Sequence, residues 1–387
     1  MILLVPTLID KPTRVLHVIG GTGRGGAETW LVHLLRNTDR GRVAMDFFLC
    51  GEQAPGACEA EILRENARIF VSPHHRNLPL QLFRLWRLQR RHGPYQVVHT
   101  HVDCYGGIIV CLARLVGVPA RIVNVHTDVR AMEASSGMMR RLYLRLMKSL
   151  SGWFATGGLG VSEMAASSFF GERWSSDPRW HVQQACVDLS PFRRVPDRRA
   201  VRAELGIPAD AIVFGHVGRF TKEKNHAFLV RIAETVAAKE ARARFLLLGS
   251  GLAAGPVEEM IRSMGLQDRF ILMPPREDVA TLLLGAFDFF LFPSLYEGLG
   301  LALVEAQAAG LRCFASTAMP PEAIVVADLV QQIPLSAGPQ HWADVILRHA
   351  GVPAPITQPE ALAAVEEVFN IQRHAAQMAE FYQAAAS

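Results

Sequence analysis

Short apolar, β-branched runs alternate with longer helix-patterned stretches along nearly the whole chain, and that rhythm leaves few folds open. The first series is RVLHVIG (14–20), AMDFFLC (44–50), QVVHTHV (96–102) and RIVNVHT (121–127). The second is AIVFGHVG (211–218), RFLLLGS (244–250), RFILM (269–273) and DFFLFPS (288–294). Apolar runs separated by helical segments predict parallel βαβ units, with helices covering both faces of each sheet. Each series opens on a strand that runs straight into a glycine turn, VLHVIGG in one and VFGHVGRF in the other. Between them lies DLSPFRRVPDRRAVRAELGIPAD, charged and punctuated by proline, which predicts a linker, a short helix and a boundary near residue 195. A chain of 387 residues is long enough for two such units. The expected fold class is therefore α/β, with two Rossmann-like domains that each collect ligands at the carboxyl ends of their strands.

The stretch YEGLGLALVEAQAAG (296–310) follows the strand DFFLFPS and carries the most chemistry. LALVEAQAAG has helical periodicity and Gly310 as its cap, so EGLG is the turn that opens a helix. Gly298 and Gly300 let backbone N–H groups approach a ligand, and a helix N-terminus favours an anion, so a phosphate is expected at Gly298, Leu299, Gly300 and Leu301. Glu297 precedes the turn and Glu305 lies about one helical turn beyond it. Carboxylates only accept hydrogen bonds, so their partners beside a phosphate are hydroxyls, a sugar on one side and a ribose on the other. GRFTKEKNH, after the strand AIVFGHV, supplies Gly218, Arg219 and Lys224 as the cationic counterpart. No Asp-x-Asp pair occurs, so no divalent ion held by that device is expected and no metal or other cofactor is required.

These pieces, together with RGGAE (24–28), VVHTHVD (97–103), NVHTD (124–128) and the final FNIQRHAAQMAEFYQ, make the chain similar to family 4 retaining glycosyltransferases of the GT-B fold. The motifs span nearly the whole chain in family order, and the histidine pair most resembles the branch that builds bacterial exopolysaccharide and other surface glycans. The resemblance implies an acceptor-side domain over 1–194, a donor domain over 195–365 and a helix over 366–387 packing back on the first domain. It implies that Arg219 and Lys224 bind the diphosphate of a nucleotide-sugar donor such as a UDP-sugar, Glu297 contacts the sugar and Glu305 the ribose. It also places Gly25 and Gly26 in a loop approaching donor and acceptor, and His126 beside the reacting bond. Glu28, His101 and Asp103 are acceptor-side candidates, whereas His99 reads as buried. The partners implied are a nucleotide-diphosphate sugar and a glycan or lipid-linked acceptor. Two departures from the family pattern are QQACVDLSPF in the linker and NVHTD on the histidine strand.

Other classes fit less of the sequence. Gly21, Gly23 and Gly26 form a literal G-x-G-x-x-G, and Glu52 could hold a ribose, but an NAD-dependent oxidoreductase leaves Arg219, Lys224, Glu297 and Glu305 without work. A nucleotide-sugar epimerase of the same fold would turn over donor without acceptor, and a catalytically silent relative would bind donor without transfer. Lys and Arg total 40 against 36 Asp and Glu, a net +4 too slight to indicate nucleic acid. Six scattered cysteines without a C-x-x-C read as reduced thiols, which points to the cytoplasm. MILLVPTLI lacks a basic leader, and no later run reaches the roughly 18 apolar residues of a membrane span. LPLQLFRLWRLQRRHG (78–93) and MRRLYLRLMKSL (139–150) are basic and amphipathic, a pattern that either packs on a sheet or lies on an anionic membrane surface, here the inner face of the cell membrane.

Overall fold

The computed structural model describes residues 11–51, 56–72, 77–134, 136–251 and 253–387. Glu52, the acid that a dinucleotide site would use, lies outside the described residues, as does MILLVPTLI.

Two parallel sheets form, as the alternating runs predict. The first has seven strands in the order β3-β2-β1-β4-β5-β6-β7 and the second six in the order β10-β9-β8-β11-β12-β13. The first comprises β1 (Thr13–Ile19), β2 (Val43–Leu49), β3 (Ile69–Val71), β4 (Val97–Thr100), β5 (Ala120–Val125), β6 (Gly157–Gly160) and β7 (Trp180–Val182). The second comprises β8 (Ile212–Val217), β9 (Ala243–Leu248), β10 (Phe270–Met273), β11 (Phe289–Phe292), β12 (Arg312–Ser316) and β13 (Val330–Ile333). In each sheet the strand order reverses beside the first strand, which opens a crevice at the carboxyl ends of β1/β4 and of β8/β11.

Burial of both strand faces explains why the central runs carry no polar alternation. In β11 all four residues of FFLF are buried, and Phe214, Phe245 and Phe289 stack across neighbouring strands with ring centroids 5.4 Å apart. Each such ring contributes roughly 1.5–3 kcal/mol by leaving water. At the linker, the helix Arg198–Glu204 is capped by Asp197, and Arg202 and Arg198 converge on Asp288 just ahead of β11. The last helix, Ile371–Ala386, returns to the first sheet and packs on the helix Gly26–Asn37 and on β1, β2 and β4. Trp30 Nε1 donates to His374 Nε2 at 2.9 Å, and Tyr382 Oη lies 2.8 Å from His99 Nδ1. All six cysteines are free, and all but Cys111 are buried.

Candidate active site between the two sheets

The EGLG turn joins β11 to the helix Leu301–Ala308, whose N-cap is Gly300 at φ +86°, a conformation that a side chain would oppose. Beside it the turn Lys222–Lys224 ends at Asn225 in the left-handed region, and Asn225 Nδ2 donates to the Pro293 carbonyl at 3.1 Å. Leu295 N donates to the Glu223 carbonyl at 2.7 Å. These bonds lock the two loops together, so the cationic segment and the glycine turn share one rim.

On that rim Lys224 Nζ lies 2.6 Å from Glu297 Oε1, with both side chains largely buried. Lys224 also stands over the Phe292 ring at 4.9 Å, and its stem passes close to Gly218. Glu305, the fifth residue of the helix Leu301–Ala308, forms no ion pair among the described residues. Burial pushes its carboxyl up to about 7, and the charge of Arg24 opposes the shift.

The first sheet meets this rim directly. Gly298 lies so near the first domain that a Cβ added there would sit 1.8 Å from the His126 carbonyl oxygen. Ser162 Oγ donates to the Gly298 carbonyl at 2.6 Å, and Glu163 N donates to Glu322 Oε1 at 2.7 Å. Arg24 lies 3.6 Å from Glu277 Oε1. A methyl at Gly25 would meet the Arg219 guanidinium at 3.6 Å, and one at Gly26 would meet Leu301 at 3.8 Å. The two domains are therefore closed on each other, and the loop 25–26 faces both Arg219 and the opening of the helix Leu301–Ala308.

Acids of the first domain complete the cleft. Burial raises the Glu28 carboxyl, against the pull of backbone N–H groups and Arg219. Asp103 Oδ1 accepts from His126 N at 3.1 Å, and burial lifts its carboxyl to about 6 despite that bond and Arg219. His126 is half-buried, and burial lowers its imidazole to about 4. Its Nε2 lies 2.9 Å from His101 Nδ1.

The structure thus gathers Gly25, Glu28, Asp103, His126, Arg219, Lys224, Glu297, Gly298 and Glu305 around one cleft. It pairs Lys224 with Glu297, a contact that residue order alone does not reveal. His101, proposed for the acceptor side, is buried behind His126, and both its ring nitrogens are engaged. His99 is buried against Tyr382, as expected. Sequence reasoning missed Arg24 and His17. Arg24 opens RGGAE with no signal of its own, and His17 sits inside a strand with no motif around it. Among the described residues, one group of side chains is spaced for a metal ion, His17, His99 and His101, with candidate nitrogens within 4.8 Å of one another. It lies behind the cleft, and two of its nitrogens already bond each other.

Residues 197–348 match the family model described as glycosyl transferases group 1, and residues 25–182 match the glycosyl transferase 4-like domain. EpsF of Bacillus subtilis (strain 168), whose name marks it as a candidate glycosyltransferase, is 35% identical over 347 residues, covering 88% of this chain and 89% of that protein. The UDP-Gal:alpha-D-GlcNAc-diphosphoundecaprenol alpha-1,3-galactosyltransferase of Escherichia coli is 27% identical over 278 residues, covering 69% and 70%. The crystal structure of Anabaena HepE in complex with UDP-glucose superposes with a TM-score of 0.80 at 20% identity, covering 96% of this chain and 99% of that one. At that identity the likeness speaks for the fold.

Proposed function

This chain belongs to the glycosyltransferase family defined by the 4-like and group 1 domains and has its GT-B fold, and from that premise we propose how it works and on what. The donor is a nucleotide-diphosphate sugar, of the UDP type by analogy with the relatives, held on the second domain. Its diphosphate lies at the N-terminus of the helix Leu301–Ala308, against Arg219 and Lys224. An ammonium has three donor hydrogens, so Lys224 keeps Glu297 while taking a phosphate oxygen. Glu297, fixed by that pair, accepts from the sugar hydroxyls, and Glu305 accepts from the ribose. Ligand hydroxyls reaching Glu305 favour its ionised form and relieve its burial.

Transfer proceeds with retention at the anomeric carbon and without a metal ion. The bond from sugar to phosphate breaks, the diphosphate takes the electron pair, and the acceptor hydroxyl attacks from the same face as its proton passes to the departing phosphate oxygen. The barrier is charge separation, and preorganised donors aimed at the growing negative charge are the expected source of rate. Arg219, Lys224 and the amides of the EGLG turn supply them. Closure of His126 and the loop 25–26 over the turn positions the acceptor and excludes water. The observation that carries this reading is the meeting of Lys224–Glu297 and the EGLG turn with Arg219, Gly25 and the His126 carbonyl across one closed cleft.

The acceptor is a glycan or lipid-linked saccharide in surface-polysaccharide synthesis, reached at a membrane surface. No helix among the described residues is long and apolar enough to cross a membrane. The helix Met138–Phe154 nonetheless exposes Met138 (82%), Met139, Leu142, Leu146 and Trp153 (72%) beside the exposed Arg140, Arg141 and Arg145. The helix Leu78–His92 exposes Phe83 and Trp86 beside Arg87, Arg90 and Arg91. Apolar side chains interleaved with arginine suit peripheral contact with anionic lipid.

The test is a panel of nucleotide sugars with lipid-linked saccharide acceptors, with the product's anomeric configuration read by NMR after addition of EDTA. Transfer with retention that survives EDTA supports the proposal. Inversion, abolition by EDTA, or donor turnover that needs no acceptor overturns it.

A further inference from the structure

Behind the cleft, three histidines stand on consecutive strands of the first sheet. His17 lies in β1, His101 directly follows β4 and His126 directly follows β5. His17 Nδ1 is 3.0 Å from His101 Nε2, and His101 Nδ1 is 2.9 Å from His126 Nε2. The rings form an unbroken row from the protein interior to the site.

The row has a closed end and an open one. His17 is wholly buried between Phe47, stacked on its ring, and Tyr382 of the last helix, edge-on to it. Its Nε2 is buried with no hydrogen-bond partner among the described residues. His126, the outer end, is half-buried at the cleft beside the EGLG turn. Burial holds His17 down at about 3, His126 at about 4 and His101 well below its ordinary value, so at neutral pH each ring carries one proton.

One proton per ring allows two arrangements. In the inward one, His126 donates to His101 and His101 to His17, so a buried N–H of His17 is left pointing at no acceptor. In the outward one, His17 Nδ1–H donates to His101 and His101 Nδ1–H donates to His126. The interior then keeps only an unshared lone pair, and His126 must hold its own proton on Nδ1. Orphaned N–H groups are rarer in protein interiors than under-used acceptors, which favours the outward arrangement. The Asn124 amide stands 3.5 Å from His101 Nδ1, at the edge of hydrogen-bond range. Reversing that amide presents its oxygen instead, so it follows the row rather than directing it.

We infer that His17 and His101 are positioning residues that lock His126 in the Nδ1–H tautomer, making it a neutral hydrogen-bond donor to a substrate oxygen and not a general base. The inference rests on the placement of His126 at the reacting centre, but the tautomer can be read without any substrate. Failure of the lock and failure of the transfer reading are thus distinguishable.

The experiment is long-range 15N–1H NMR of the ligand-free, 15N-histidine-labelled full chain between pH 6 and 8. The His126 signal, assigned by its loss in His126→Gln, should show a protonated Nδ1 and a bare Nε2 throughout. An Nε2–H tautomer or an imidazolium in this range overturns the inference. His17→Phe, which removes the inner donor while keeping an aromatic ring, should turn the His126 signal into a tautomer mixture. It should lower kcat about tenfold while nucleoside-diphosphate affinity stays within twofold. An unchanged His126 tautomer in that variant also overturns it, and if the variant does not fold the wild-type spectrum alone decides.

Discussion

Gly298→Ala tests domain closure more sharply than removal of any charged group. The new Cβ would sit 1.8 Å from the His126 carbonyl oxygen and 2.5 Å from its carbon, and both are backbone atoms that have no rotamer to change. A carbon and an oxygen in contact need roughly 3.3 Å, near the separation at which non-bonded atoms attract best. The rim of the second domain must therefore withdraw by about 1.5 Å, and the bond from Ser162 Oγ to the Gly298 carbonyl is lost with it. A misplacement of about 1 Å at a reacting centre can cost on the order of 100-fold, so kcat should fall by that factor. As proposed above, the diphosphate is held chiefly by residues of the second domain, so its affinity should hold. Isothermal titration with the nucleoside diphosphate, set against initial rates of transfer, separates the two effects. The three atoms nearest the methyl all belong to the opposite domain, so the cores of both domains are left intact and the variant should still fold. A variant that transfers at near wild-type rate would refute the closed cleft as the reactive geometry, and a large loss of nucleotide affinity would refute the division of labour.

Three further outcomes follow from the site and its surroundings. Lys224→Met should reduce transfer about 100-fold, the scale of one lost transition-state donor, and it leaves the buried Glu297 unpaired, so thermal unfolding should also fall by several degrees; normal turnover would remove Lys224 from the mechanism. Glu305→Gln should raise the melting temperature of the empty protein at pH 8 while weakening nucleotide binding. Its folded carboxyl titrates at about 7, above the unfolded value, so the native state holds extra protons between about pH 4.5 and 7, and the associated stability is lost as pH rises through that window. The buried histidines His17, His99, His101, His216, His226 and His374, all pushed below the ordinary value, act in the opposite sense. The unfolded chain binds their protons first, so stability should drop as pH falls from about 6.5 towards 4, by up to about 1.4 kcal/mol per pH unit for each net proton; urea titrations with a midpoint that does not fall between pH 6.5 and 5 would contradict this.

The eight runs read as strands all appear as strands, because each is long or apolar enough for burial to dominate. Those the sequence hid are instructive. β6 is the tetrad GGLG, poor in strand propensity, yet the rings of Trp180 and Phe170 occupy the space where a Cβ of Gly158 would lie, so glycine is what the packing admits. β12 and β13 carry polar residues, RCFAS and VQQI, and β3 and β7 span three residues each, too short for a period to register. At the site, motif and chain order were enough to nominate Glu297, Glu305, Arg219 and Lys224. That Lys224 bonds Glu297, or that Gly298 touches His126, depends on two loops and two domains meeting in space. His17 has no local signal: its place in the histidine row comes from register, since β1 and β4 align His17 with His99 and leave His101 beyond them, next to His126.

Where the donor sits can be read from a crystal of the protein soaked with a nucleotide sugar that supports transfer. The diphosphate is expected on the amides opening the helix Leu301–Ala308, within hydrogen-bond reach of Arg219 and Lys224, with the ribose at Glu305 and the sugar at Glu297. Density for the diphosphate at the Gly21–Gly26 loop alone, with the EGLG turn empty, would contradict it.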